Sequence, residues 1–245
     1  EDSGSESCPV SYRAYPGEVP VVSGGRPITG WEGDDSEHSR RKCGGSLWRA
    51  AVPKTGEGRA WRFNQLFVNG ERRFRARTPN RGSFHRTDGP LSKRKTRGFY
   101  YKEGDVQEWA RLRDALFVVY HSWETSLHHV RHIDPRAGAV TFREPAPWPM
   151  GRWEKQQRYY VENVFEKLDA PGEWHLNTQT ETLYYYPRPG EKMADAEVIA
   201  PVVTNTLLEL NGRPTDGAFI EHLRFRGIAF HHSDANLRRV RNPGQ

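Results

Sequence analysis

The stretch Ile220–His232 constrains the fold of this chain more than any other. Leu223 and Phe225, then Ile228 and Phe230 beyond Gly227, alternate with polar or small residues. That spacing predicts a strand with one apolar face and a glycine bend in its middle. Leu207, Leu208 and Leu210 read as a second short apolar strand just upstream, closed by Asn211-Gly212. Short strands separated by glycine turns are the pattern of a parallel β-solenoid. A solenoid rung cannot bury its inner face alone, so the pattern predicts further rungs beyond Gln245 and a protein longer than this chain.

The N-terminal segment has a similar rhythm. Tyr12 and Ala14 alternate with polar neighbours, Pro16-Gly17 turns, and Val19, Val21 and Val22 resume a strand before Gly24-Gly25. Residues 1–31 therefore read as an early rung edge and residues 198–245 as resumed rungs. Between them, 32–46 reads as a polar linker or exposed loop. Trp61–Val68 and Glu71–Arg77 flank Asn69-Gly70, the strongest short hairpin signal. Asp105 is placed to cap a helical turn carrying Trp109 and Leu112. Ala115–Trp123 is rich in strand formers, and Leu127–Ile133 pairs with Ala139–Phe142. Val161, Val164, Phe165 and Leu168 fall at helical spacing. Glu173–Leu176 and Thr182–Tyr186 form a last hairpin before Val198–Pro201. Residues 32–197 thus read as an inserted antiparallel β domain, and the fold class as mainly β.

Charge and composition narrow the function classes. Eight Trp argue against a disordered chain; they serve either as core or as flat surfaces for sugar rings. The net charge of +6 is concentrated: ten Lys and Arg lie between Arg72 and Arg97, with Asp88 the only acid among them. Such a patch can track phosphates or merely solvate a strand face. No helix-turn-helix, zinc-finger or ribonucleoprotein signature accompanies it, so no nucleic-acid partner is expected. No run approaches the length of a membrane span. Cys8 and Cys43 are two thiols whose pairing the sequence leaves open.

Several motifs, recurring in order over nearly the whole chain, point to a family. They include Arg13-Ala-Tyr-Pro-Gly-Glu18, Ser23-Gly-Gly25, Gln65-Leu-Phe-Val-Asn-Gly-Glu-Arg72 and Ala76-Arg-Thr-Pro-Asn80. His121-Ser-Trp123, Leu168-Asp-Ala-Pro-Gly-Glu-Trp174, Leu183-Tyr-Tyr-Tyr-Pro187 and Leu223-Arg-Phe-Arg-Gly227 complete the set. Together they resemble the carbohydrate-active proteins of glycoside hydrolase family 141. The resemblance implies a right-handed parallel β-helix interrupted after an early rung by a β-rich domain, and a secreted or periplasmic location. It also implies cleavage of plant-type polysaccharide or oligosaccharide, of α-L-fucosidase or xylanase type. The catalytic carboxylates are then expected on later rungs, beyond Gln245. The alternative is a non-catalytic polysaccharide-binding or structural β-helix module.

Glycoside hydrolysis needs two carboxyl groups flanking the bond. Glu209, Asp216, Glu221 and Asp234 are the carboxylates of the solenoid part, and each has an ordinary solvated reading beside the functional one. Asp234, beside His231 and His232 at a rung exit, is a candidate substrate contact. His231 and His232 would point to opposite faces of a continued strand, and His232 is the one placed with Asp234. Trp148 and Trp153 lie in an irregular segment bounded by Pro145, Pro147 and Pro149; they are candidates for sugar stacking. Arg77 and Asn80 flank Pro79 where a hairpin leaves the domain, ready either to bond a sugar or to pin the loop. Trp123 and Trp174 are expected to pack the inserted domain against the solenoid. His121, His128, His129 and His132 lack a completing carboxylate or cysteine, so no metal site is expected. No cofactor is implied.

Overall fold

The computed structural model describes residues 3–202 and 206–234. Residues 203–205 and 235–245 of the expected C-terminal rungs lie outside them. The expectation that the catalytic carboxylates come after Gln245 therefore also falls outside the described residues, and no catalytic pair is assigned within them. The chain is mainly β, as expected. Its sheets are mostly antiparallel, and the described residues do not make up a parallel β-helix. What stands at the chain ends is two separate two-stranded parallel pairs, Val10–Arg13 with Leu223–Arg226 and Val21–Ser23 with Ala229–His231.

The larger sheet has eight strands. From edge to edge they are Gly25–Pro27, Val198–Pro201, Leu66–Val68, Glu71–Arg75, Glu173–Asn177, Thr182–Tyr185, Trp48–Ala51 and Glu32–Gly33. The second sheet runs Gly98–Tyr100, Ala139–Phe142, Thr125–Asp134, Leu116–Tyr120 and Arg158–Glu162, with Arg77–Thr78 and His85–Arg86 both paired to the last. Ala76 separates Glu71–Arg75 from Arg77–Thr78 and hands the chain from one sheet to the other. It is wholly buried, in a small cluster with Cys43, Leu47 and Leu168.

Each sheet has its own core. Phe99, Phe117, Phe142 and Tyr159 interlock in the smaller one, their ring centroids 4.7–6.0 Å apart. Phe63, Leu66, Trp174, Leu183 and Tyr185 fill the larger one. Loops close both: Val106, Trp109, Ala146 and Met150 cover the first, Ala60 and Met193 the second. The expected hairpin at Asn69-Gly70 forms, both residues taking positive φ (52° and 76°) as a two-residue turn of this kind demands. The pairing of Thr125–Asp134 with Ala139–Phe142 forms too, with a bulge between Val130 and His132.

Several local expectations are corrected. The helical spacing from Val161 to Leu168 is shared between the strand Arg158–Glu162 and a 3₁₀ turn, Phe165–Lys167. Between them Asn163 (φ 59°) breaks the strand, its amide donating to Asp114 O (3.0 Å) and Leu176 O (3.2 Å). Residues 32–46 are no linker: they hold the edge strand Glu32–Gly33 and a helix, Glu37–Lys42, capped by Ser36. Asp105 caps no helix; it accepts from the Tyr159 hydroxyl (3.0 Å) and faces His85 (3.0 Å). Leu207–Leu210 is not a strand. Both thiols are free, Cys8 exposed and Cys43 buried against Leu168 O. Among the described residues no helix is long and apolar enough to cross a membrane.

Candidate functional site

Part of the basic stretch is used inside the domain, while Arg72, Lys93, Arg94 and Lys95 are exposed. Arg73 is buried, donating to the Tyr185 hydroxyl (3.0 Å) and pairing with Glu71 (2.9 Å) and Glu191. Arg75 meets Glu162 (3.4 Å), Arg86 meets Glu154 (2.9 Å), and Arg81 lies 4.2 Å over the Phe74 ring. These arginines build the fold rather than a polyanion track.

The predicted contact residues divide in the same way. Arg77 donates to Pro79 O and Ser83 O, both at 2.8 Å, and its guanidinium lies 3.6 Å over the Tyr160 ring. Asn80 donates to Asp169 (3.0 Å). Asp234 is buried and accepts from the Asn64 backbone (2.6 Å), tying the C-terminal segment to the larger sheet. The His232 ring bonds Ser23 (2.9 Å) and meets the edge of Phe67 (4.7 Å). Glu209, Asp216 and Glu221 are exposed. The six candidates do not converge on one place.

Trp148 and Trp153 do come together, and Trp123 joins them. Trp123 does not pack the domain against other rungs as expected; it is 59% exposed, on the turn between Leu116–Tyr120 and Thr125–Asp134. Its ring centroid lies 4.2 Å from that of Trp153 and 5.9 Å from that of Trp148, and those two are 5.2 Å apart. All three pairs are edge-on, the mutual arrangement that aromatic quadrupoles favour. Arg152 sits 4.8 Å from Trp153 and 5.6 Å from Trp148. Trp174, by contrast, lies wholly inside the larger core.

The segment carrying Trp148 is rigidly tethered. Prolines deprive it of backbone donors, and two of the others are used: Ala146 N donates to Thr96 O (2.6 Å) and Met150 N to Lys95 O (2.8 Å). Ala146 and Met150 are buried anchors on either side of Trp148. Beneath them runs a buried polar chain. Gly151 N donates to Gln157 Oε1 (3.0 Å), and Gln157 Nε2 donates to His121 Nδ1 (2.9 Å). Ser126 Oγ lies 2.7 Å from both His121 Nε2 and His128 Nε2. With His128 kept neutral by burial, His121 Nε2–H donates to Ser126, whose hydroxyl donates to His128, which in turn donates to the Glu144 carbonyl. Burial lowers the pKa of each ring, and that of His128 is pushed down to about 3, with His121 and His129 adding to the effect. The chain thus ties both ends of the 144–151 segment to the sheet below it.

His128 is buried and His132 exposed, because the bulge after Val130 breaks the alternation that would have put them on one face. Glu173, unremarked in sequence, is buried with its carboxylate accepting from Asp169 N (3.3 Å) and Ala170 N (3.2 Å). Burial outweighs those bonds and raises its pKa to about 8.

Residues 45–188, more than half of the chain, match the family model of the GH141 insertion domain. The chain belongs to this family. The GH141 insertion domain contains the whole tryptophan cluster and the histidine chain beneath it. A solved structure described as a glycoside hydrolase superposes on 95% of this chain with a TM-score of 0.76 and 28% identity. The alignment covers 40% of that protein, so the chain spans well under half of its length. Among curated proteins none matches. The chain is thus glycoside-hydrolase-like, in line with the resemblance its motifs carry.

Proposed function

We propose that this chain is the front part of a β-helix glycoside hydrolase acting on plant-type polysaccharide, with the catalytic rungs following Gln245. In this reading residues 1–31 and 198–245 carry the helix strands and residues 32–197 are the insertion, with Gly25–Pro27 and Val198–Pro201 pairing antiparallel into the eight-stranded sheet at the junction. The observation that carries it is the in-register parallel stacking of residues from the two ends of the chain. Val10 to Arg13 pair one-to-one with Leu223 to Arg226, and Tyr12 stacks on its register partner Phe225 at 5.2 Å and 10°. Like positions stacked on like positions are what successive solenoid rungs produce. The apolar side chains of these pairs line a groove of about 360 Å³ that includes Val22, Ile228 and Phe230. A further rung would fill it.

Within this scheme the Trp123–Trp148–Trp153 surface contacts the glycan. Exposed indoles on a tethered loop offer apolar faces to the C–H faces of sugar rings at little ordering cost.

The test is an activity comparison. The 245-residue chain is expected to turn over neither xylan nor an aryl α-L-fucoside, whereas a polypeptide extended by its own downstream coding sequence does. Turnover by the chain alone would overturn the assignment of catalysis to later rungs. Inactivity of the extended protein on every glycan, with binding retained, would favour the non-catalytic module.

A further inference from the structure

A cleft of about 1050 Å³ lies apart from the tryptophan surface. One wall is the tight hairpin from Pro53 to Trp61, closed by Thr55 N–Arg59 O (2.7 Å) and Trp61 N–Pro53 O (3.1 Å). The other is the edge strand Gly25–Pro27 with Val202. The cleft therefore lies where the GH141 insertion domain meets the segments leading to the parallel pairs.

Its lining is strongly one-signed. Arg26 projects from one wall and Lys54, Arg59 and Arg62 from the other, against the single acid Glu57. The Arg26 guanidinium has no ion-pair partner among the described residues. Arg59 lies 3.9 Å from Glu57 with both side chains almost fully in solvent, a pairing that neutralises little. Arg62 spends one nitrogen on the Thr178 carbonyl (2.9 Å), and Lys54 pairs with Glu181 at 3.4 Å. Trp61 adds an aromatic surface to the lining. Unlike Arg73 and Arg75, these are not folded into the core. Like charges gathered in a concave site focus the field into it, and planar guanidinium forks match planar carboxylates.

We infer that this cleft binds an acidic glycan, one whose sugars carry carboxylate or sulfate groups. The inference rests on the carbohydrate-directed reading above and adds a substrate class to it. The tryptophan surface takes the sugar faces, and the cleft takes the charges.

Binding to the 245-residue chain is measured by calorimetry with four probes. They are a uronic acid hexamer, its carboxyl-reduced neutral counterpart, a sulfated oligosaccharide of similar length, and single-stranded DNA of similar charge. The uronate or the sulfated probe is expected to bind about ten-fold or more tighter than the neutral hexamer. That advantage should shrink as salt rises from about 0.05 to about 0.5 M. The double substitution Arg26→Ala, Arg59→Ala, at two exposed positions, should abolish the advantage while leaving neutral binding unchanged. Equal affinity for acidic and neutral hexamers overturns the inference, as does tighter binding of the DNA or indifference to the double substitution. Neutral binding that persists in those cases leaves the carbohydrate reading intact. Binding of none of the three glycans sinks both.

Discussion

The two large sheets and the two parallel pairs at the chain ends use the same alternation to opposite effect. In the sheets, Trp174, Tyr159, Phe117 and Leu183 are completely buried. In the pairs, Val21 is 49% exposed and Val22 and Phe230 41% each. The side chains are equally apolar; what differs is the second layer. Loops carrying Trp109, Met150 and Met193 close the sheet faces, whereas each pair has two strands and an open groove. A two-stranded unit is marginal in water without something packed on it. The domain therefore supplies its own stability, and the pairs depend on whatever stacks upon them.

The most direct way to break this comparison is to truncate one aromatic on each side. Trp174→Ala should cost about 3–5 kcal/mol, the range for large-to-small changes in a sealed core. Phe230→Ala should cost under about 1.5 kcal/mol, because its ring is already partly in water. Urea midpoints at unchanged slope measure both. Equal losses would mean that the pairs are as well sealed as the domain.

Acid should act on the domain in particular. His128 and the wholly buried His175 both have pKa values pushed down to about 3, burial being the main cause, and His121 is lowered too. A depressed histidine pKa means that the unfolded chain takes up protons that the native one refuses. Stability is then full above about pH 6.5 and falls as pH drops below it, by about 1.4 kcal/mol per pH unit for each such group. Urea midpoints from pH 7.5 to about 4.5 should trace that fall, and His128→Gln should make it shallower. A flat profile would show that these rings titrate as if exposed.

Glu173 sharpens the comparison with the opposite sign. Its raised pKa, about 8 against an ordinary 4.5, means that the native state favours the protonated form. That contribution is complete below pH 4.5 and is lost as pH rises through 8. Glu173→Gln keeps an acceptor for Asp169 N and Ala170 N without the charge. It should gain about 1–2 kcal/mol over the parent at pH 9 and nothing at pH 4. A loss at pH 9 would mean that the ionised carboxylate is held favourably by those amides.

What could be read from sequence was mostly what neighbours along the chain decide. Asn69-Gly70 dictates its own turn, and the partners Thr125–Asp134 and Ala139–Phe142 are joined by a short connection. Val161, Val164, Phe165 and Leu168 mislead because their spacing fits a helix while Val161 is paired on both sides in a sheet. The six contact candidates scatter because the partners of Asp234 and Asn80 are remote: Asn64 and Asp169 reach them only through tertiary folding. The tryptophan surface was half readable. Prolines marked Trp148 and Trp153 as irregular, but Trp123 reaches them through sheet pairing that no local pattern announces. The cleft was invisible for the same reason, since Arg26 on an edge strand and Arg59 in a turn line it together only through tertiary folding.

The smallest expected effect on stability separates two uses of one residue type. Trp123→Ala with Trp153→Ala removes two indoles, as Trp174→Ala removes one, yet their rings are 59% and 43% exposed where Trp174 is sealed. The loss should stay under about 1.5 kcal/mol, the scale of an edge-on aromatic contact, because no cavity forms. Neutral oligosaccharide binding should nevertheless fall about ten-fold or more, since the faces offered to sugar are gone. A stability loss matching that of Trp174→Ala, with binding unchanged, would make the cluster a piece of core that happens to reach the surface. The opposite pairing of results assigns the insertion domain a binding face that its own stability does not require.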